Sequence, residues 1–148
     1  MNKTDMKYCM QKFTESRQGL NSIYEEYAKS NGLSYNSLLV LTIIHARQES
    51  CTQKSICQST LLAKQTVNAI TKAFRSQGII ELLEMDSDRR NKTIRMTKEG
   101  REYSDKIILK MQNAEERTME KFDEDQRAAL AESIRIYKDH FKEYLFRS

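Results

Sequence analysis

Not one of the 148 residues is proline, and only four are glycine. These are the residues that break helices and build sharp turns. A chain almost without them is expected to form long helices with few elaborate connections. Hydrophobic residues make up 39% of the sequence and charged residues 31%, which provides one core of ordinary domain size beneath a strongly polar surface. The apolar share is on the low side for a compact monomer, so some apolar surface is expected to be shared between subunits.

No run of about 18 apolar residues is available to span a membrane, and Met1 to Met10 lack the apolar stretch and cleavage site of a signal peptide. The expectation is a cytoplasmic protein. Cys9, Cys51 and Cys57 are odd in number, no CxxC pair exists, and His45 and His140 stand far apart. Neither a disulfide framework nor a metal site or cofactor is expected.

Hydrophobic spacing sets the elements. From Thr4 to about Lys29, Met6, Cys9, Phe13, Leu20, Tyr24 and Tyr27 recur near every third or fourth residue, a helical stripe that Asn31-Gly32 ends. Ser34 is a suitable N-cap for a second helix running to about Gln48. Its Leu38, Leu39, Leu41, Ile43 and Ile44 are apolar nearly all round, as in a buried central helix. Thr52 caps a short third helix to about Ser59, with Ile56 and Cys57 facing inward, and Leu61-Leu62 make the turn. A fourth helix, from Lys64 to Gln77, turns Val67, Ile70 and Phe74 inward, and Gly78 stops it. Ile79–Met85 and Lys92–Met96 read as strands around a polar turn, Asp86 to Asn91. Thr97 caps a helix reaching about Phe122, and Asp123-Glu124-Asp125 opens a last one. There Leu130, Ile134, Tyr137, Phe141 and Tyr144 form a coiled-coil-like seam, expected to join two subunits.

Charge is distributed unevenly over this frame. From Ser50 to Ile80 there is no acidic residue, while Lys54, Lys64, Lys72 and Arg75 are present. Such a segment favours a partner with a phosphate backbone. It coincides with the two short helices and tight turn of a helix-turn-helix, whose second helix can enter the major groove of DNA. Lys64, Gln65, Asn68, Ala69 and Lys72 are then left outward, flanked by Thr66 and Arg75. Gln65 and Asn68 each offer a donor and an acceptor to an adenine edge, and the cations suit phosphates. A hairpin following directly, with Arg89, Arg90 and Lys92 at or beside its tip, has the character of a wing.

In order and spacing, Leu33 to Gly100 resembles the MarR family of transcriptional regulators. The resemblance is carried by Leu33-Ser34 with Leu38, Val40, Leu41 and Ile44, and by Thr52, Ile56, Cys57, Leu62, Thr66, Val67 and Gly78-Ile79-Ile80. Asp88-Arg89-Arg90 and Met96-Thr97-Lys98-Glu99-Gly100 match the wing signature. Departures occur as well. Ala63 replaces a frequent serine, Leu61 a glycine, Ala69 and Leu82 frequent arginines, and Asp86-Ser87 stands where Asp-Pro is usual.

The resemblance implies a mainly α fold with a small β hairpin: a winged helix-turn-helix lobe over 33–100, with residues 1–32 and 101–148 as dimerisation helices of one domain. It implies a homodimer held by Phe13 and the seam, a near-palindromic double-stranded DNA partner, and Arg90 in the minor groove. It also implies a repressor modulated by a small lipophilic or phenolic effector in a cleft near Tyr24, Tyr35 and His45. Cys9, in the first helix, matches the position class of redox-sensing members. An enzyme is disfavoured by the lack of metal-ligand spacing, a nucleophile–base pair or a phosphate-cradling glycine loop. The rival reading is a helical adaptor module that keeps the winged shape without reading DNA. Salt dependence separates the two, since counterion release makes DNA binding fall steeply with salt.

Overall fold

The computed structural model describes residues 2, 5–48, 50–85 and 88–147, with the backbone alone for 85 and 88–91. Its first compact unit is Met1–Ile108. Helix α1 (Met6–Ser30) is capped by the carboxylate of Asp5, which accepts from the Lys7 amide; the expected start at Thr4 lies outside the described residues. Helix α2 (Tyr35–Ala46) begins at Ser34, whose hydroxyl accepts from the Ser37 amide at 3.0 Å. It buries Leu38, Val40, Leu41 and Ile44 and forms the centre of the core, as its near-continuous apolar character requires.

A two-residue strand, β1 (Cys51–Thr52), comes next and leads into α3 (Gln53–Thr60). Thr52 and Ser55 cap α3 reciprocally: each side chain takes the other's backbone amide. Ile56 is buried as expected, but Cys57 is only half-buried, and Cys51 is the fully buried cysteine instead. Helix α4 (Lys64–Ser76) buries Val67, Ile70, Thr71 and Phe74. It ends at Gly78, whose φ of +73° is one that side chains with a Cβ rarely adopt.

Strands β2 (Ile80–Met85) and β3 (Asp88–Met96) are antiparallel, and β1 joins the free edge of β3, giving the order β1-β3-β2. Ile80 faces Met96 and Leu82 faces Ile94. The expected six-residue turn is a correction. Met85 pairs with Asp88 while Glu84 pairs with Lys92, so Arg89, Arg90 and Asn91 belong to an irregular stretch of β3 and not to the turn. Of the expected turn, Asp86-Ser87 lies outside the described residues. Helix α5 (Lys98–Met119) stops short of Phe122.

Its start is fixed by a close backbone approach. The Thr97 amide donates to the Ile79 carbonyl at 3.0 Å, and its hydroxyl donates to the Gly78 carbonyl at 2.5 Å. The same hydroxyl accepts from the Gly100 amide at 2.9 Å and so caps α5. A Cβ on Gly100 would lie 1.8 Å from the Ile79 carbonyl oxygen. Farther along α5, Asp105 meets His45 Nε2 at 2.7 Å, and the Ile107 carbonyl accepts from the Tyr27 hydroxyl at 2.7 Å, tying α5 to α2 and α1.

The second unit, Leu109–Ser148, contains the rest of α5 and helix α6 (Glu124–Phe146). Asp123 and Gln126 form a reciprocal cap at the start of α6. Among its described residues none is buried.

Two substitutions test these backbone constraints. Gly100→Ala forces atoms together with no flexible side chain to yield. The expected loss is about 3 kcal/mol, a fall of about 6–12 °C in the melting midpoint by calorimetry; a midpoint within 2 °C of wild type, by the same scaling roughly half a kcal/mol, contradicts the packing described. Leu61 has the opposite character. Its φ is +59°, and its side chain is 89% exposed, so little burial offsets the left-handed backbone. Left-handed backbone costs an ordinary residue about 1–2 kcal/mol, of which glycine's extra unfolded-state freedom cancels part. Leu61→Gly is therefore expected to raise stability by about 0.5–1 kcal/mol, read as a higher urea midpoint at unchanged slope.

Candidate nucleic-acid interface

Helices α3 and α4 are joined by Leu61 to Ala63, and the turn is closed by the Leu61 amide donating to the Cys57 carbonyl at 2.9 Å. Residue 63 is the N-cap of α4. Being alanine, it supplies no side-chain acceptor, so the first amides of α4 have no side-chain cap. The inward residues of α4 leave Lys64, Gln65, Asn68, Ala69, Lys72 and Arg75 exposed, with Thr66 half-buried on a flank.

These outward residues do not act as one group. A pocket of about 230 Å³ lies between the start of α3, α4 and the sheet. Asn68, Lys72, Arg75 and Lys92 line it together with Lys54, a residue that sequence reasoning counted as charge but did not place in the site. Leu82 and Ile94 supply its apolar lining, and none of its lining residues is acidic. The lining thus gathers four cations from three elements. Like charges so placed repel one another, a cost that a bound polyanion removes. Thr71, also in the lining, is satisfied internally, its hydroxyl donating to the Val67 carbonyl at 3.0 Å. Gln65, Ala69, Lys64 and Thr66 do not line the pocket. Arg95, one strand position away from Ile94, is held instead by Glu81, to which its Nε donates at 2.8 Å. The side chains of Arg89 and Arg90 lie outside the described residues.

A two-helix turn carrying a basic outward helix, followed by an antiparallel hairpin, defines a winged helix-turn-helix protein. Residues 31–91 match the model of the MarR family. No curated protein sequence matches the chain. Among solved structures, the fold is similar to NMB1585, a MarR family regulator from Neisseria meningitidis. That likeness has a TM-score of 0.78 at 21% identity and covers 98% of this chain and 97% of that one. It is also similar to FabT of Streptococcus pneumoniae in complex with DNA, with a TM-score of 0.74, 16% identity, and 95% and 99% coverage. MepR of S. aureus, likewise solved with DNA, gives 0.73 at 14% identity, with 86% and 97% coverage. Residues 31–91 thus match the MarR family, and across nearly its whole length the chain shares the winged-helix fold of the MarR regulators it is similar to.

The other residues singled out from sequence fall in three places. Tyr24 and Tyr35 are neighbours, their ring centroids 6.4 Å apart. His45 does not join them: it is ten residues along α2, about 15 Å by the helical rise, and its Nε2 is engaged by Asp105. Phe13 is half-buried on α1. On α6, Leu130, Ile134, Tyr137, Phe141 and Tyr144 are all exposed, Tyr137 stacked on Phe141 with centroids 5.5 Å apart. Among the described residues, no helix is long and apolar enough to cross a membrane.

The cysteines differ sharply in environment. Cys9 is exposed, whereas Cys51 is fully buried, and burial pushes its thiol above the ordinary cysteine range. The thiolate is the reactive form. Under native conditions near pH 8, iodoacetamide followed by peptide mass spectrometry is expected to label Cys9 first and to spare Cys51 until the protein unfolds. Native labelling of Cys51 at the rate of Cys9 would contradict its placement in the core.

Proposed function

We propose that the protein is a cytoplasmic homodimeric repressor that binds a near-palindromic operator, with α4 in the major groove and the β2–β3 hairpin as a wing over the adjacent minor groove. The observation that carries this reading is the acid-free pocket between α4 and the sheet. Lys54, Lys72, Arg75 and Lys92 converge there from three elements, at the edge of an exposed helix with base-reading side chains. Lys54 and Lys92, in one pocket on a single flank of α4, hold the phosphate backbone at one edge of the groove that α4 enters, while Gln65 addresses a base edge. Arg89 and Arg90 add two further cations to the sequence of β3, the strand of the wing.

The dimer is supported by the exposed row Ile134, Tyr137, Phe141 and Tyr144 on α6, a helix with no buried residue of its own. An apolar strip of that kind is stable in water only when a second surface covers it. A second copy supplies the same strip and closes by two-fold symmetry. The pair Tyr24 and Tyr35 offers aromatic surface for a small lipophilic effector that adjusts DNA affinity.

Fluorescence anisotropy on duplexes selected from a random pool tests the DNA-binding reading. The logarithm of affinity is expected to fall linearly with the logarithm of salt concentration. Lys54→Ala is expected to lower that slope by about 0.9, the counterion released by one phosphate contact, and to weaken all sequences alike. Binding that ignores salt would favour the adaptor reading. An unchanged slope in Lys54→Ala would remove the pocket from the interface.

A further inference from the structure

We propose that Ala69 is a specificity-determining contact: its methyl group packs against the 5-methyl group of a thymine in the major groove, beside an adenine edge read by Gln65. This rests on α4 being the recognition helix. Successive helical residues turn by about 100°. With Val67, Ile70, Thr71 and Phe74 buried on one side, the direction opposite them is held by Gln65, Ala69, Lys72 and Ser76. Asn68 and Arg75 are turned aside and line the pocket, and Thr66 is half-buried on the other flank. The N-terminal part of a recognition helix is the part that meets base edges. There, the centre of the outward face consists of Gln65 and Ala69, one turn apart and both exposed.

The two side chains have different chemistry. The Gln65 amide offers one donor and one acceptor, matching adenine N6 and N7. Ala69 offers only a methyl group. Against guanine, cytosine or adenine it would strip water from a donor or acceptor and return no hydrogen bond, which is costly. Thymine alone presents an apolar group in the major groove. One helical turn advances about 5.4 Å and one base step about 3.4 Å, so the two readouts fall one to two base pairs apart. No acidic residue from Ser50 to Ile80 opposes the approach.

The test starts from duplexes that the full-length chain selects out of a random pool. Each thymine is then replaced singly by deoxyuridine, which deletes the methyl group and keeps the base pair. Wild type is expected to lose about fourfold in affinity at one position in each half-site, the worth of one buried methyl group at about 0.8 kcal/mol. At that position Ala69→Gly is expected to bind thymine and uracil duplexes equally. Gln65→Ala should keep the methyl dependence and lose the preference for the neighbouring adenine. The thymine-to-uracil affinity ratio does not depend on the folded fraction, so a less stable Ala69→Gly helix cannot imitate the result. Wild type indifferent to uracil everywhere, or Ala69→Gly keeping the wild-type ratio, overturns the proposal while leaving α4 as the DNA-binding helix. Failure to select any duplex in a salt-sensitive way overturns both.

Discussion

The joint at Ile79 and Gly100 is the constraint on which the winged-helix lobe depends. Three elements meet there: α4 has just ended at Gly78, β2 is about to begin, and α5 starts at Lys98. Thr97 satisfies the Gly78 and Ile79 carbonyls and caps α5 with one side chain and one amide. Glycine at position 100 removes the only atom that would keep the backbones apart. Because the contact is backbone to backbone, it fixes the direction in which β2 leaves α4, and with it the distance from Arg75 to Lys92. A rotation of the hairpin at this point would open the pocket and disperse its cations.

Burial on α4 supplies the second half of the arrangement. Val67, Ile70, Thr71 and Phe74 fix the rotation of the helix, so Gln65 and Ala69 point straight out while Asn68 and Arg75 lean toward the sheet. One helix therefore presents two surfaces, an outward strip that begins with Gln65 and Ala69 and a cationic flank toward the sheet, which the proposed function assigns to bases and to phosphates. The separation matters because phosphate contacts position a protein on DNA, whereas base contacts carry sequence information.

Much of this was legible in the sequence, for identifiable reasons. Helices declared themselves through apolar spacing and through Ser34, Thr52 and Asp123, whose side chains cap as their chemistry requires. The inward Val67, Ile70 and Phe74 of α4 followed from periodicity, though the buried Thr71 did not, and α2 was marked by apolar character nearly all round and not by a period. Strand β1 was not legible: two residues carry no period, and Cys51 and Thr52 become a strand only because β3 offers an unpaired edge. Asp88 to Asn91 have turn-forming composition, yet pairing of Asp88 with Met85 draws them into β3. The place of Lys54 in the pocket depends on a tertiary approach of α3 to the sheet, which local pattern does not encode. Nor does spacing along α2 reveal that His45 is committed to Asp105 and separated from Tyr24 and Tyr35.

The central claim is that two copies of this chain place two α4 helices on one face of a duplex. Hydroxyl-radical footprinting of a selected duplex tests it directly, because the cleavage pattern reports which sugars each half of the complex covers. Two symmetry-related protected patches, with centres about 10 base pairs apart, are the expected result. A single asymmetric patch, or uniform protection without half-site spacing, would contradict the account.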